Sequence, residues 1–143
     1  MGFRYRLQKV VDLKNSERMQ AEWILSQAVE RLNQEEHSLA RLSAEKEEIM
    51  DRLAATEHMT VSELQSAQHY LRYLDEQIEE QNVAVHQAKN QVLDKQRQLN
   101  EKMLVEKIWN QARDKAYHRF LAEERRQEQK ESDEIATVRF ART

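Results

Sequence analysis

Residues 64–99 read LQSAQHY LRYLDEQ IEEQNVA VHQAKNQ VLDKQRQ L when broken every seven, and each block opens on an aliphatic residue: Leu64, Leu71, Ile78, Val85, Val92, Leu99. Ala67, Leu74 and Ala88 fill the intervening d positions. An apolar period of 3.5 residues, held this long, specifies helices that supercoil left-handedly around a partner. The preceding stretch carries the same signature. Its apolar positions step by four and three through Ala21, Leu25, Ala28, Leu32, Leu39, Leu42, Ile49 and Leu53, with Glu35 and Lys46 interrupting the row. That places Leu25, Leu32, Leu39 and Leu53 at a, and Ala28, Leu42 and Ile49 at d.

Between the runs lies AATEHMTVSEL, residues 54–64. Thr60 followed by Glu63 has the capping-box form, in which hydroxyl and carboxylate each satisfy a backbone N–H that the helix cannot. A new helix therefore starts at Val61. One uninterrupted helix is the competing reading, because no Gly or Pro forces a break here. Register favours the hairpin. Antiparallel a and d layers face one another when partner numbers add to 120, which pairs Leu53 with Ala67, Ile49 with Leu71, Leu42 with Ile78, Leu32 with Ala88, Ala28 with Val92 and Ala21 with Leu99. Large meets small in four of these six pairs, and the turn falls where the cap lies. The predicted fold is all-α: an antiparallel two-helix coiled-coil hairpin forming an elongated rod. Helix 1 covers about 4–56, the turn about 57–60 and helix 2 about 61–131; residues 132–143 are expected to be a frayed tail on a single-hairpin chain of 1–143. Carried outward, the register brings Val11 to Trp109 and Phe3 to Tyr117, and sets Arg18 against Lys102, a like-charge conflict expected to shift the seam.

Composition supports an extended helical chain and removes most chemistries. Among 143 residues there is one Gly, at position 2, with no Pro and no Cys, where ordinary domains carry about 7% Gly and about 5% Pro. Glycine-dependent phosphate loops and nucleophile elbows are excluded, as are disulfides, thiolate metal sites and thiol catalysis. No apolar run approaches the roughly 18 residues of a membrane span. The opening MGFRYRLQKVVDL is charged from its fourth residue, unlike a signal peptide. The expectation is a cytoplasmic protein without direct membrane insertion. His37, His58, His69, His86 and His118 are scattered, with no HExxH and no i,i+4 pair. Catalytic, metal-binding and cofactor-binding residues are accordingly expected to be none, since a two-helix pair offers no pocket that excludes water around a carboxylate.

What remains is recognition, and the charges are unevenly spread for it. Residues 1–18 hold five basic and two acidic side chains, 19–100 eight and fifteen, 101–143 ten and nine. The hairpin gathers both positive ends into one base. There Arg4, Arg6, Arg113, Lys115, Arg119, Arg125 and Arg126 surround the aromatics of FRYRL and AYHRFL, which suits an acidic socket. Nucleic acid is not expected, because the acidic middle would repel phosphate. Glu45, Glu47 and Glu48 read as a solvated face. Tyr70 and Tyr73 stand at g and c, off the seam, beside His69 and Gln77, and are either core flanks or partner anchors.

The two ends carry a family likeness. FRYRLQKVVDLK, EKIWNQARDKAYHRF and EERRQEQKESDEIATVRFAR resemble the flagellar FliJ family over the whole chain, the middle matching only as heptads. The resemblance implies a non-enzymatic hairpin of the flagellar type III protein-export apparatus. It implies that the joined ends dock in the hexameric export ATPase ring and promote its assembly and activity. It further implies contact with the cytoplasmic domain of the membrane export-gate protein and with export chaperones, at the cytoplasmic face of the cell membrane. Carried over by motif, Phe3, Arg4, Tyr5, Arg6, Leu7, Trp109 and the Glu123–Arg126 stretch form the docking base, which Arg113 and Lys115 join by their charge. The gate or chaperone contact has no matching motif, so His69, Tyr70, Tyr73 and Gln77 are taken from their expected exposure. The rival from the residues alone is a structural coiled-coil spacer that dimerises through one long helix.

Overall fold

The computed structural model describes residues 2–142. It holds two helices, α1 (Gln8–Ala55) and α2 (Val61–Arg142), and no strand among those residues. They form the expected antiparallel hairpin. Its turn is made as the capping box requires: Glu63 N donates to Thr60 Oγ1 at 3.1 Å and Thr60 N donates to Glu63 Oε2 at 3.3 Å. At the end of α1, the Arg52 carbonyl accepts both Thr56 N at 3.1 Å and the Thr56 hydroxyl at 2.7 Å, which closes the last turn.

Two helix limits differ from expectation. Helix α1 begins four residues later than position 4, at Gln8. Residues 2–5 are non-helical, and the first turn closes through Gln8 N to Tyr5 O at 3.1 Å and Val11 N to Leu7 O at 3.2 Å. The cause is Phe3, whose ring lies 5.2 Å from Tyr117 and 5.4 Å from Phe120. Helix α2 runs on to Arg142 rather than stopping near 131. Nothing in 132–142 breaks a helix, and the Thr137 hydroxyl donates to the Asp133 carbonyl at 2.8 Å within it. The heptad ends near 131; the helix does not.

The chain divides into two compact units, residues 1–20 with 100–143, and residues 21–99. In the 21–99 unit Leu74 is 1% exposed, and Val85 and Ala88 are also buried. Every other seam residue expected at a or d, from Ala21 to Leu53 and from Ala67 to Leu99, is half-buried. Partial burial is what two helices alone can provide, since each seam side chain has neighbours on one side only. Leu64, at the head of its heptad row, is 43% exposed, because its register partner Thr56 lies past the end of α1. Glu35, Lys46 and Gln81 sit in the seam as polar layers. The Gln81 side-chain amide donates to both the Glu35 carbonyl and the Glu35 carboxylate, and Lys46 pairs with Asp75.

In the unit of 1–20 and 100–143, Val11 is 2% exposed, with Trp109, Ala112, Ala116 and Phe120 half-buried. The conflict expected between Arg18 and Lys102 is removed by side-chain choice rather than by slippage. Arg18 Nε donates to Glu106 Oε2 at 2.7 Å, and Lys102 Nζ reaches Glu17 Oε2 at 3.4 Å. Glu17 with Lys102, Gln8 with Arg113 and Phe3 with Tyr117 all stay within one residue of the expected register.

Candidate partner-docking surfaces

The terminal unit brings together most of what the sequence nominated for a docking base. Phe3 anchors the leading segment against α2, and Tyr5 stacks beside it at 6.5 Å. Phe3, Tyr5 and Trp109 are half-buried, and the rings of Phe3 and Tyr5 hold the segment in place. Arg4, Arg6, Leu7, Lys115 and Arg125 are exposed. Arg113 is exposed too, and its Nε donates to Gln8 Oε1 at 2.8 Å, tying the helices together at their base. Arg126 lies 3.3 Å from Glu123 in a screened surface pair of little energetic weight. The alternation of aromatic and basic residues in FRYRL thus puts rings inward and guanidinium groups outward. From Arg125 to Arg142 every residue of α2 is exposed, Phe140 at 84%.

Phe120 was not nominated as a site residue, although it shares the packing of Phe3 with Tyr117. The signal was present, since Phe120 follows the a/d row through Trp109 and Ala116. His118 stands 6.1 Å from the Tyr117 ring, at the edge of the same cluster.

In the 21–99 unit, Tyr70 is 41% and Tyr73 53% exposed, and their rings stack at 6.0 Å with an interplanar angle of 26°. His69 is exposed and Gln77 half-buried beside them. Glu45, read from sequence as one of a solvated face, instead accepts the hydrogen bond of the Tyr70 hydroxyl. That bond is the main reason the Tyr70 phenol is pushed above its ordinary value, with desolvation and the Glu45 charge adding to it. Register did not reveal this contact, because Glu45 reaches a full turn along α2 to make it.

Neither surface offers enclosed chemistry. Among the described residues no group of three or more His, Asp or Glu side chains could hold a metal ion, and no helix is long and apolar enough to cross a membrane. The depressions along the helices are open grooves, such as the one bordered by Ile24, Arg31, Gln91 and Lys95.

Comparison with known proteins points one way. The family described as "Flagellar FliJ protein" matches residues 3–143. The flagellar FliJ protein of Bacillus subtilis (strain 168) is 28% identical, over 98% of this chain and 97% of that protein. Among solved structures, a YscO homologue from Chlamydia trachomatis aligns with a TM-score of 0.53 at 21% identity, covering 96% of this chain and 94% of that one, a likeness of fold.

Proposed function

Because this chain belongs to the flagellar FliJ protein family, and is therefore a component of the flagellar protein-export apparatus, we propose that its terminal unit docks in the hexameric export ATPase and promotes the assembly and activity of that ring. The observation that carries this reading is the packed leading segment. Phe3 held on Tyr117 and Phe120 fixes a non-helical segment whose Arg4 and Arg6 face outward, near a helix exposed all the way to Arg142. Such a surface is organised before any partner arrives, which spares the ordering cost of binding. Its guanidinium groups suit an acidic socket, because charge complementarity sets register and association rate.

The second contact in this reading is the stacked pair Tyr70 and Tyr73, with His69 and Gln77, which meets the cytoplasmic domain of the export-gate protein or an export chaperone. The protein itself is non-catalytic and works at the cytoplasmic face of the cell membrane by joining these partners. The test is ATP hydrolysis by the cognate flagellar export ATPase, titrated with this protein while the size of the ATPase is followed. Stimulation together with hexamer formation is the expected result. Neither stimulation nor binding would return the chain to the role of a structural coiled coil.

A further inference from the structure

Tyr70 and Tyr73 are the one place among the described residues where two aromatic rings stack on each other while staying open to solvent. Three features narrow what can sit on them. The first is the ring face. An aromatic face is the negative end of a quadrupole, and here two solvent-exposed rings stand 6.0 Å apart, so that both lie within reach of one cation. The second is the hydroxyl. Tyr70 donates its proton toward the Glu45 carboxylate, which fixes the ring and pushes electron density back into it.

The third is the surrounding charge. Glu76 and Glu80 follow Tyr73 at i+3 and i+7 on the same helical side, and both are exposed. Nearby cations are fewer or already engaged. Arg52 is paired with Glu48 at 2.7 Å and Lys46 with Asp75. Arg72 projects to the other side of α2 by its spacing from Tyr70, leaving His69 four residues before Tyr73 and Arg41 one turn before Glu45. The unit as a whole carries eight basic and fifteen acidic residues.

A purely apolar occupant would strip water from Glu45 and its neighbours and give nothing back. An anionic occupant would be repelled. A guanidinium or ammonium group gains both from the ring faces and from the carboxylates. Resting on the reading of this patch as the gate or chaperone contact, we propose that Tyr70 and Tyr73 form a cation-receiving platform that seats an arginine or lysine side chain of the partner's docking segment.

The test separates this chemistry from the contact itself. Full-length protein and its variants are titrated against the purified cytoplasmic domain of the cognate export-gate protein and, in parallel, against an export chaperone, with helicity checked by circular dichroism. The platform requires that Tyr70→Leu/Tyr73→Leu weaken the bound partner about tenfold, the scale of a desolvated cation–π contact. Tyr70→Phe/Tyr73→Phe should stay within about threefold of wild type, since it keeps both faces, and Glu45→Ala should fall between the two. If the leucine pair binds like wild type while the alanine pair, Tyr70→Ala/Tyr73→Ala, does not, the contact is merely apolar and the platform is overturned, although the patch reading survives. If the phenylalanine pair loses as much as the leucine pair, the hydroxyls are the recognised feature and the platform is again overturned. If the alanine pair binds both partners unchanged, the patch reading itself fails. Should sedimentation of the protein alone show a dimer that the alanine pair abolishes, the occupant is a second copy of this chain and the proposal falls.

Discussion

At the scale of single residues, Phe3 does more for the terminal surface than any of the arginines beside it. The arginines face solvent, where an isolated surface charge adds little to stability, whereas Phe3 brings a ring to Tyr117 and Phe120 and thereby decides where α1 begins. Half-burial and two aromatic contacts make its loss worth about 1–2 kcal/mol. Phe3→Ala should therefore release residues 2–7, and trypsin should cut after Arg4 and Arg6 about ten times faster while the helicity of the remainder is unchanged. Equal cleavage rates would mean that the segment is held by something else. Tyr70 supports a second prediction. Its phenol titrates above the ordinary tyrosine value because Glu45 accepts its proton's hydrogen bond. Whatever this bond contributes is present below the ordinary value and is lost as pH rises through the raised one. Glu45→Ala should bring the Tyr70 titration, followed by NMR of its labelled ring carbon, back down; an unmoved midpoint would assign the shift to burial instead.

At the scale of elements, the seven-residue period that identifies both helices also leaves their alignment under-determined. A seam of equivalent aliphatics every seven residues fits nearly as well when one helix slides by a heptad. Polar layers do not. The Gln81 amide meets the Glu35 carboxylate and Lys46 meets Asp75, and a slip by one heptad would part both side-chain pairs. Replacing Glu35 and Gln81 together by leucine should raise the melting temperature, since half-buried polar groups give way to apolar ones. The same variant should form disulfides between cysteines placed at Ala28 and Val85, a slipped pair, as well as at Ala28 and Val92, the native one. Slipped cross-links at the wild-type level would show that the register is set elsewhere. The turn is the simpler case: Thr60→Ala removes the hydroxyl that accepts from Glu63 N, and should cost about 1 kcal/mol, read as faster amide exchange at Glu63 and Leu64. Periodicity and capping chemistry made the hairpin legible, and the same register foretold Phe3 against Tyr117. The beginning of α1 and the end of α2 were not legible. The first is set by a tertiary contact, and the second lies where a seam has no partner yet nothing breaks the helix. The contact of Glu45 with Tyr70 was hidden for a different reason, as it depends on how far two long side chains extend rather than on which positions oppose each other.

At the scale of the molecule, a net charge of −3 conceals two surfaces of opposite tendency, one in each compact unit. The terminal unit carries the outward guanidinium groups, and the unit of residues 21–99 carries most of the uncompensated carboxylates. Such a division is invisible to stability, because exposed charges are screened over about 8 Å at physiological salt, but it governs encounter and orientation with a charged socket. Changing Arg4, Arg6, Arg113, Arg125 and Arg126 together to glutamate should abolish binding to the export ATPase. Helicity should be preserved, because none of the five is buried and only Arg113 bridges the two helices. Wild-type affinity should also fall as salt rises, while the affinity of the charge-reversed protein should not recover at low salt. Arg113→Glu alone distinguishes docking from packing, since its lost bond to Gln8 would lower the melting temperature without removing the other four charges. If the five-fold variant binds as wild type does, the guanidinium groups are bystanders. The exposed apolar end of α2, from Ile135 through Val138 to Phe140, would then be the part that enters the ring.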